Sequence, residues 1–209
     1  MLTTSASKAL AEGKAQDVPM IIGSNEGEDS LMGAGGGAAM LARVPAGSLE
    51  TVRAIYGGAD DKLLAKNLFR DSVMGAPAHW VAGKTASGAP TYLYQFTYVP
   101  PTLKAFLPRA AHGQEVLFVF ETLDRSPIPS TTLSKADFDF AHMTHMCWVA
   151  FAKTGAPACA GAPAWPRYQA ATDPTMMLSP VTEVRSGYLK EAYAFQEHAY
   201  AARGGPGSR

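Results

Sequence analysis

Charge is scarce in this sequence, and neither sign prevails. Only 17% of the 209 residues are Asp, Glu, Lys or Arg, and 18 basic residues balance 18 acidic ones. Without a basic surplus the chain lacks the electrostatic footprint of a nucleic-acid or anionic-lipid binder. No apolar run approaches the length of a membrane span. The opening stretch, Met1 to Asp17, carries no signal-peptide core. Cysteine is almost absent: Cys147 and Cys159 are too few for a disulfide framework. Cys147 falls in a predicted helix and Cys159 in the Ala/Pro/Gly-rich loop after it, a placement that favours two thiols over a bridge. The compartment therefore stays open. Hydrophobic residues make up 47% of the chain, enough for a real core and far from a disordered composition. The length predicts one domain, and small-molecule substrates fit this neutral, apolar composition better than polyanions do.

Short apolar runs punctuated by glycine and proline set the organisation. DVPMIIGSN (Asp17 to Asn25) reads as a buried strand entering a tight loop. GAGGG (Gly33 to Gly37) reads as flexible loop, and GSLETVRAIYGG as a short helix with Ser48 at its N-cap. The segment from Asp60 to Gly88 is helical, with Pro77 at a boundary. PTYLYQFTYVP (Pro90 to Pro100) is the clearest strand, rich in Tyr, Phe and Thr. EVLFVFETL, after His112, is a β-forming apolar run. SKADFDFAHMTHMCWVAFAKTG is a long helix between a capping Ser134 and a glycine stop at Gly155. PTMMLSP predicts a last short strand, and SGYLKEAYAFQEHAYAAR a C-terminal helix. Alternating strands and helices predict an α/β architecture with a mostly parallel sheet flanked by helices. In such sheets chemistry gathers on loops at the carboxyl ends of strands. Two of these loops carry ionisable groups: GSNEGEDS and PRAAHGQE.

Glu28 and His112 sit on those two loops. Histidine is the one side chain that titrates near neutrality unperturbed. A carboxylate on its other ring nitrogen fixes the tautomer and stabilises the imidazolium. Spacing alone leaves open whether they are such a pair or two unrelated loop residues. Three other patterns are weaker. AHWVAGKT ends in G-K-T, but a phosphate-binding loop follows a strand and opens a helix, whereas here a helix precedes a strand. SASK with KTG lacks the third element of a β-lactamase-like esterase. HMTHMC puts His142 and His145 on one helical face near Cys147, without a fourth metal ligand.

Four segments, VPMIIGSNEGE, PTYLYQF, HGQEVLFVF and WVAFAKTGAP, occur in the order and at roughly the intervals seen in type B carboxylesterases. FRDSVMGAPAHW and APAWPRY add to the match. The chain thus resembles the cholinesterase and para-nitrobenzyl esterase family of α/β-hydrolases, from about Asp17 to about Tyr193. The resemblance implies that residues 1–203 are the C-terminal part of a single carboxylesterase domain, an incomplete α/β-hydrolase fold, with 204–209 a flexible tail. It implies a serine esterase working through an acyl-enzyme on a small-molecule ester. Glu28 matches the triad acid, and His112 the triad base. Glu26 competes for the acid position, but only with a two-residue deletion in the motif. Glu115 matches a buried carboxylate that supports the histidine loop, and Asn25 lies in the acid motif itself. Trp148 and Phe151 belong to a helix that packs as core. Trp80, Phe118 and Phe120 are candidates for an acyl or alcohol pocket, with core packing the competing reading for each. No metal and no organic cofactor is implied. The family's nucleophile elbow, G-x-S-x-G, is missing, because no serine here has that setting. The chain is therefore expected to be inactive alone and to expose an unpaired sheet edge open to association. The other expectation that the residues permit is a non-catalytic binding module of the same fold.

Overall fold

A computed structural model describes residues 4–126 and 128–204. Four strands form one sheet in the order β1 (Met20–Asn25), β2 (Thr91–Phe96), β3 (Pro174–Leu178), β4 (Glu183–Ser186). β1, β2 and β3 run parallel, and β4 closes one edge antiparallel to β3. Eight helices surround the sheet among the described residues: α1 (Ala6–Ala11), α2 (Gly36–Leu41), α3 (Leu49–Ile55), α4 (Asp61–Arg70), α5 (Ala76–Thr85), α6 (Gln114–Val119), α7 (Lys135–Thr154) and α8 (Lys190–Ala202). The sheet is α/β and mostly parallel, as the sequence predicts. The outer edge of β1 has no partner strand among the described residues.

Strand periodicity divides the core into two faces. Tyr92, Tyr94 and Phe96 of β2 point to the side covered by α6 and α7. Leu93 points the other way, onto Ala78 and Ala82 of α5. On the first face Tyr98 stacks on Phe140 with ring centroids 4.0 Å apart, and Phe118 packs edge-on against both. Each fully buried side chain of this size stabilises the fold by about 1.5–3 kcal/mol. Trp148 and Phe151 pack on this cluster from α7, half-buried. A smaller cluster around Leu64 and Leu68 joins α2, α3 and α4. β1 and β2 approach closely where Gly23 faces Tyr94; any Cβ at Gly23 would fall on the Tyr94 carbonyl and ring. Only glycine fits there.

The ends of α7 follow their sequence signals. The Asp137 carboxylate accepts from the Ser134 backbone N–H at 2.6 Å and from its hydroxyl at 2.7 Å. Gly155, at φ +77°, stops the helix in the left-handed conformation. Other expectations change. EVLFVF forms helix α6, because Gly113 at φ +74° starts a helical turn and the run then buries only Phe118 completely. Gly36 and Gly37 open α2 and are not loop. Ser48 occupies the N-cap of α3, but its side chain makes no capping bond. Pro77 does not interrupt the helices: α4 continues through a wide turn, Asp71–Gly75, into α5, where the proline sits in the first turn. Strand β4 was not expected at all. Of the expected tail, 205–209 lies outside the described residues.

The two cysteines are also corrected. Cys147 and Cys159 form a disulfide that ties α7 to the loop after it across a sequence separation of 12. The helix places Cys147 so that the returning chain brings the two Cα atoms to 4.6 Å, a geometry that sequence spacing does not reveal. Cross-linking a loop of this length stabilises by about 3 kcal/mol in the chain-entropy account. Dithiothreitol should therefore lower the unfolding free energy read from a denaturant titration by that amount, and Cys147→Ala should abolish the response.

Candidate active site

The acid loop leaves the carboxyl end of β1. Asn25 ends the strand, and a single 3-10 turn, Glu28–Leu31, begins three residues later. That turn directs the Glu28 side chain inward, where it is 5% exposed. One carboxylate oxygen, Oε1, accepts the Asn25 backbone N–H at 2.8 Å. The other, Oε2, lies 2.6 Å from His112 Nδ1. The two residues are 84 positions apart in the chain.

The histidine loop is held against the acid loop by its backbone. Gly27 pairs with Ala111 in a parallel bridge, and the Gly27 N–H donates to Ala110 O at 2.7 Å. A side chain at Gly27 would strike that carbonyl, so the approach requires glycine. Asn25 Nδ2 donates to Ala111 O at 2.7 Å and also to the Glu115 carboxylate. One amide group thus clasps both loops and the first turn of α6. The His112 backbone N–H donates to Ser30 Oγ at 2.9 Å. Arg109 reaches from the start of the histidine loop to Asp29 at 2.6 Å and to Asn67 of α4 at 2.9 Å, while Lys66 adds a second cation to Asp29 at 3.2 Å.

A carboxylate oxygen accepts hydrogen bonds, so in the neutral ring the proton sits on His112 Nδ1 and the lone pair on Nε2. Nε2 has no hydrogen-bond partner among the described residues, and the side chain is 43% exposed. The arrangement can therefore accept a proton from an approaching hydroxyl. Beneath it, burial pushes the Tyr94 phenol well above its ordinary pKa, with Glu115 and Glu28 adding to the effect. Tyr94 is thus a neutral wall.

The structure brings together Glu28, His112, Asn25 and Glu115. Glu26, the competing acid, instead lines a small cavity of about 290 Å³ with Lys104, Arg185 and Tyr188. Of the pocket aromatics, Phe118 is buried core, Phe120 is 67% exposed, and Trp80 lines a different cavity, to which neither Glu28 nor His112 contributes. His142 pairs with Glu121 at 2.9 Å on an exposed helix face, and His145 donates from Nδ1 to Val119 O at 2.8 Å. No group of three metal-binding side chains forms among the described residues. Ser30 and the Arg109–Asp29 pair have no sequence signal of their own; only folding shows that they meet across some 80 residues.

The family described as "Carboxylesterase family" matches residues 59–196. Carboxylesterase 1D of Rattus norvegicus is 34% identical over 121 residues, covering 54% of this chain and 21% of its own. Liver carboxylesterase of Sus scrofa is 35% identical over 123 residues, covering 54% and 20%. A solved thermophilic PNB esterase superposes with a TM-score of 0.71 at 23% identity, over 93% of this chain and 41% of that one. A second PNB esterase structure gives 0.73 at 22% identity, over the same shares. The chain spans about a fifth of the length of the curated relatives and two fifths of the solved esterases.

Proposed function

Because the chain belongs to the carboxylesterase family, we propose that it is part of a carboxylic ester hydrolase and carries the acid and the base of its catalytic triad. The observation that carries this reading is the 2.6 Å contact between Glu28 Oε2 and His112 Nδ1, with Nε2 left open. A serine in a G-x-S-x-G setting, outside this chain, attacks the ester carbonyl. His112 Nε2 takes the serine proton as the bond forms and returns it to the leaving alcohol; water then repeats the cycle on the acyl-enzyme. Glu28 holds the ring in the required tautomer and stabilises it when it is protonated. Asn25 and Glu115 keep the two loops in register. Residues 1–203 form the C-terminal part of one domain, and the open edge of β1 offers strands of the serine-bearing part a place to pair.

Loss of a triad serine lowers turnover by about a millionfold, so acid and base alone have little to activate. The purified chain should show no hydrolysis of para-nitrophenyl butyrate above buffer and no serine labelling by a fluorophosphonate. Fused to the serine-bearing part of a PNB esterase, it should gain both. Labelling of a specific serine in the chain alone would refute the assignment of the nucleophile. A folded fusion that neither takes the label nor turns over would refute the assignment of the base.

A further inference from the structure

A second cavity, of about 650 Å³, opens between α5, α8 and the segment leading into β3. Its volume is typical of a small-ligand site. At one wall His79 is held from both sides: Nε2 lies 3.0 Å from Asp173 Oδ1 and Nδ1 lies 3.2 Å from Glu197 Oε1. Both ring nitrogens face carboxylates, so the ring is an imidazolium and has no lone pair to offer. Burial opposes that charge, but the hydrogen bonds and charges of Asp173 and Glu197 outweigh it and raise the pKa from 6.5 to about 9. The cluster is therefore no second general base, and the cavity is a place for binding rather than proton transfer.

Its remaining walls have two characters. Pro77, Trp80, Tyr168 and Tyr200 present apolar and aromatic surface. Lys84, Lys190 and Arg203 line the same space, and none of them forms an ion pair with a carboxylate among the described residues. Lys84 sits 5.5 Å from the Trp80 ring centroid. Lys190 helps keep Asp173 ionised through space without pairing to it. The two carboxylates in the wall already share His79. The cavity thus carries an unspent positive charge beside an aromatic surface.

We propose that this cavity binds an amphiphilic carboxylate, its apolar body against Trp80 and Tyr168 and its anionic head at Lys84, Lys190 and Arg203. The site is separate from Glu28 and His112 and does not depend on the esterase reading.

Isothermal titration of the full chain at pH 7 and low salt tests it with sodium octanoate, octan-1-ol and octyltrimethylammonium. Octanoate should bind at one saturable site, and the neutral and cationic analogues about tenfold or more weaker. Lys84→Ala with Lys190→Ala should weaken octanoate about tenfold and leave octanol unchanged, Trp80→Ala should weaken both, and His112→Ala should change nothing. The proposal is overturned if octanol binds as tightly as octanoate, if octanoate does not saturate, if the double lysine variant binds it like the parent, or if His112→Ala abolishes the binding.

Discussion

His112→Ala, made where this chain is joined to a G-x-S-x-G serine, is expected to lower kcat/KM on a short-chain nitrophenyl ester by about a millionfold. The ring supplies the one open nitrogen of the pair. Its removal leaves the fold intact, because the side chain is 43% exposed and packs little. The loop keeps its backbone ties, through the His112 N–H to Ser30 and the Gly27 N–H to Ala110. The melting temperature should therefore fall by only a few degrees, from the hydrogen bond that buried Glu28 Oε2 loses, a cost of about 1–3 kcal/mol. Glu28→Gln should be milder, a loss of about ten-thousandfold, because an amide holds the ring in place but favours the wrong tautomer. Residual activity within tenfold of the parent for either variant would show that the base, or its acid, lies elsewhere.

The largest expected loss of stability comes from a pair far from that site. Arg70 ends α4 and reaches back onto its neighbour Asp71, Nε to Oδ1 at 2.6 Å and Nη2 to Oδ2 at 2.8 Å. The side chains are 8% and 0% exposed. Tyr56, Tyr188 and Tyr193 surround them, and burial together with the Asp71 charge raises each phenol. Arg70→Met leaves a fully buried carboxylate with no counter-charge, which destabilises by about 3–5 kcal/mol. In a chain of this size that corresponds to a fall in Tm of roughly 10 °C. Adding Asp71→Leu should restore most of it, because the loss comes from the stranded charge rather than from the missing arginine. A single variant that melts like the parent would mean that Asp71 is not held charged by Arg70.

Much of this molecule was legible in its sequence where local chemistry decides. Proline and glycine bracket β1 and β2, and Ser134 with Gly155 marks both ends of α7. The meeting of Glu28 and His112 was legible because each sits in a short motif on a loop beyond a strand. EVLFVF was not, because its five-residue apolar run has no period that separates strand from helix. What decides is Gly113, whose positive φ turns the chain into α6. β4 was missed because Glu183–Ser186 is half-exposed and charged, and pairs only because β3 is already there. The disulfide, Ser30 and the Arg109–Asp29 clamp are long-range or geometric facts that no single stretch of sequence encodes.

The placement of Glu28 and His112 on distant segments also sets the order in which the chain brings them together. The cluster around Leu64 and Leu68 joins neighbouring helices and can condense early. Pairing β1 with β2, where Ser24 meets Gln95, closes a loop of 71 residues, and bringing His112 to Glu28 closes one of 84. The entropy of such closures is met before their contacts return anything, so they form late. A nascent or partly unfolded chain can therefore hold most of its helices and still have no paired imidazole.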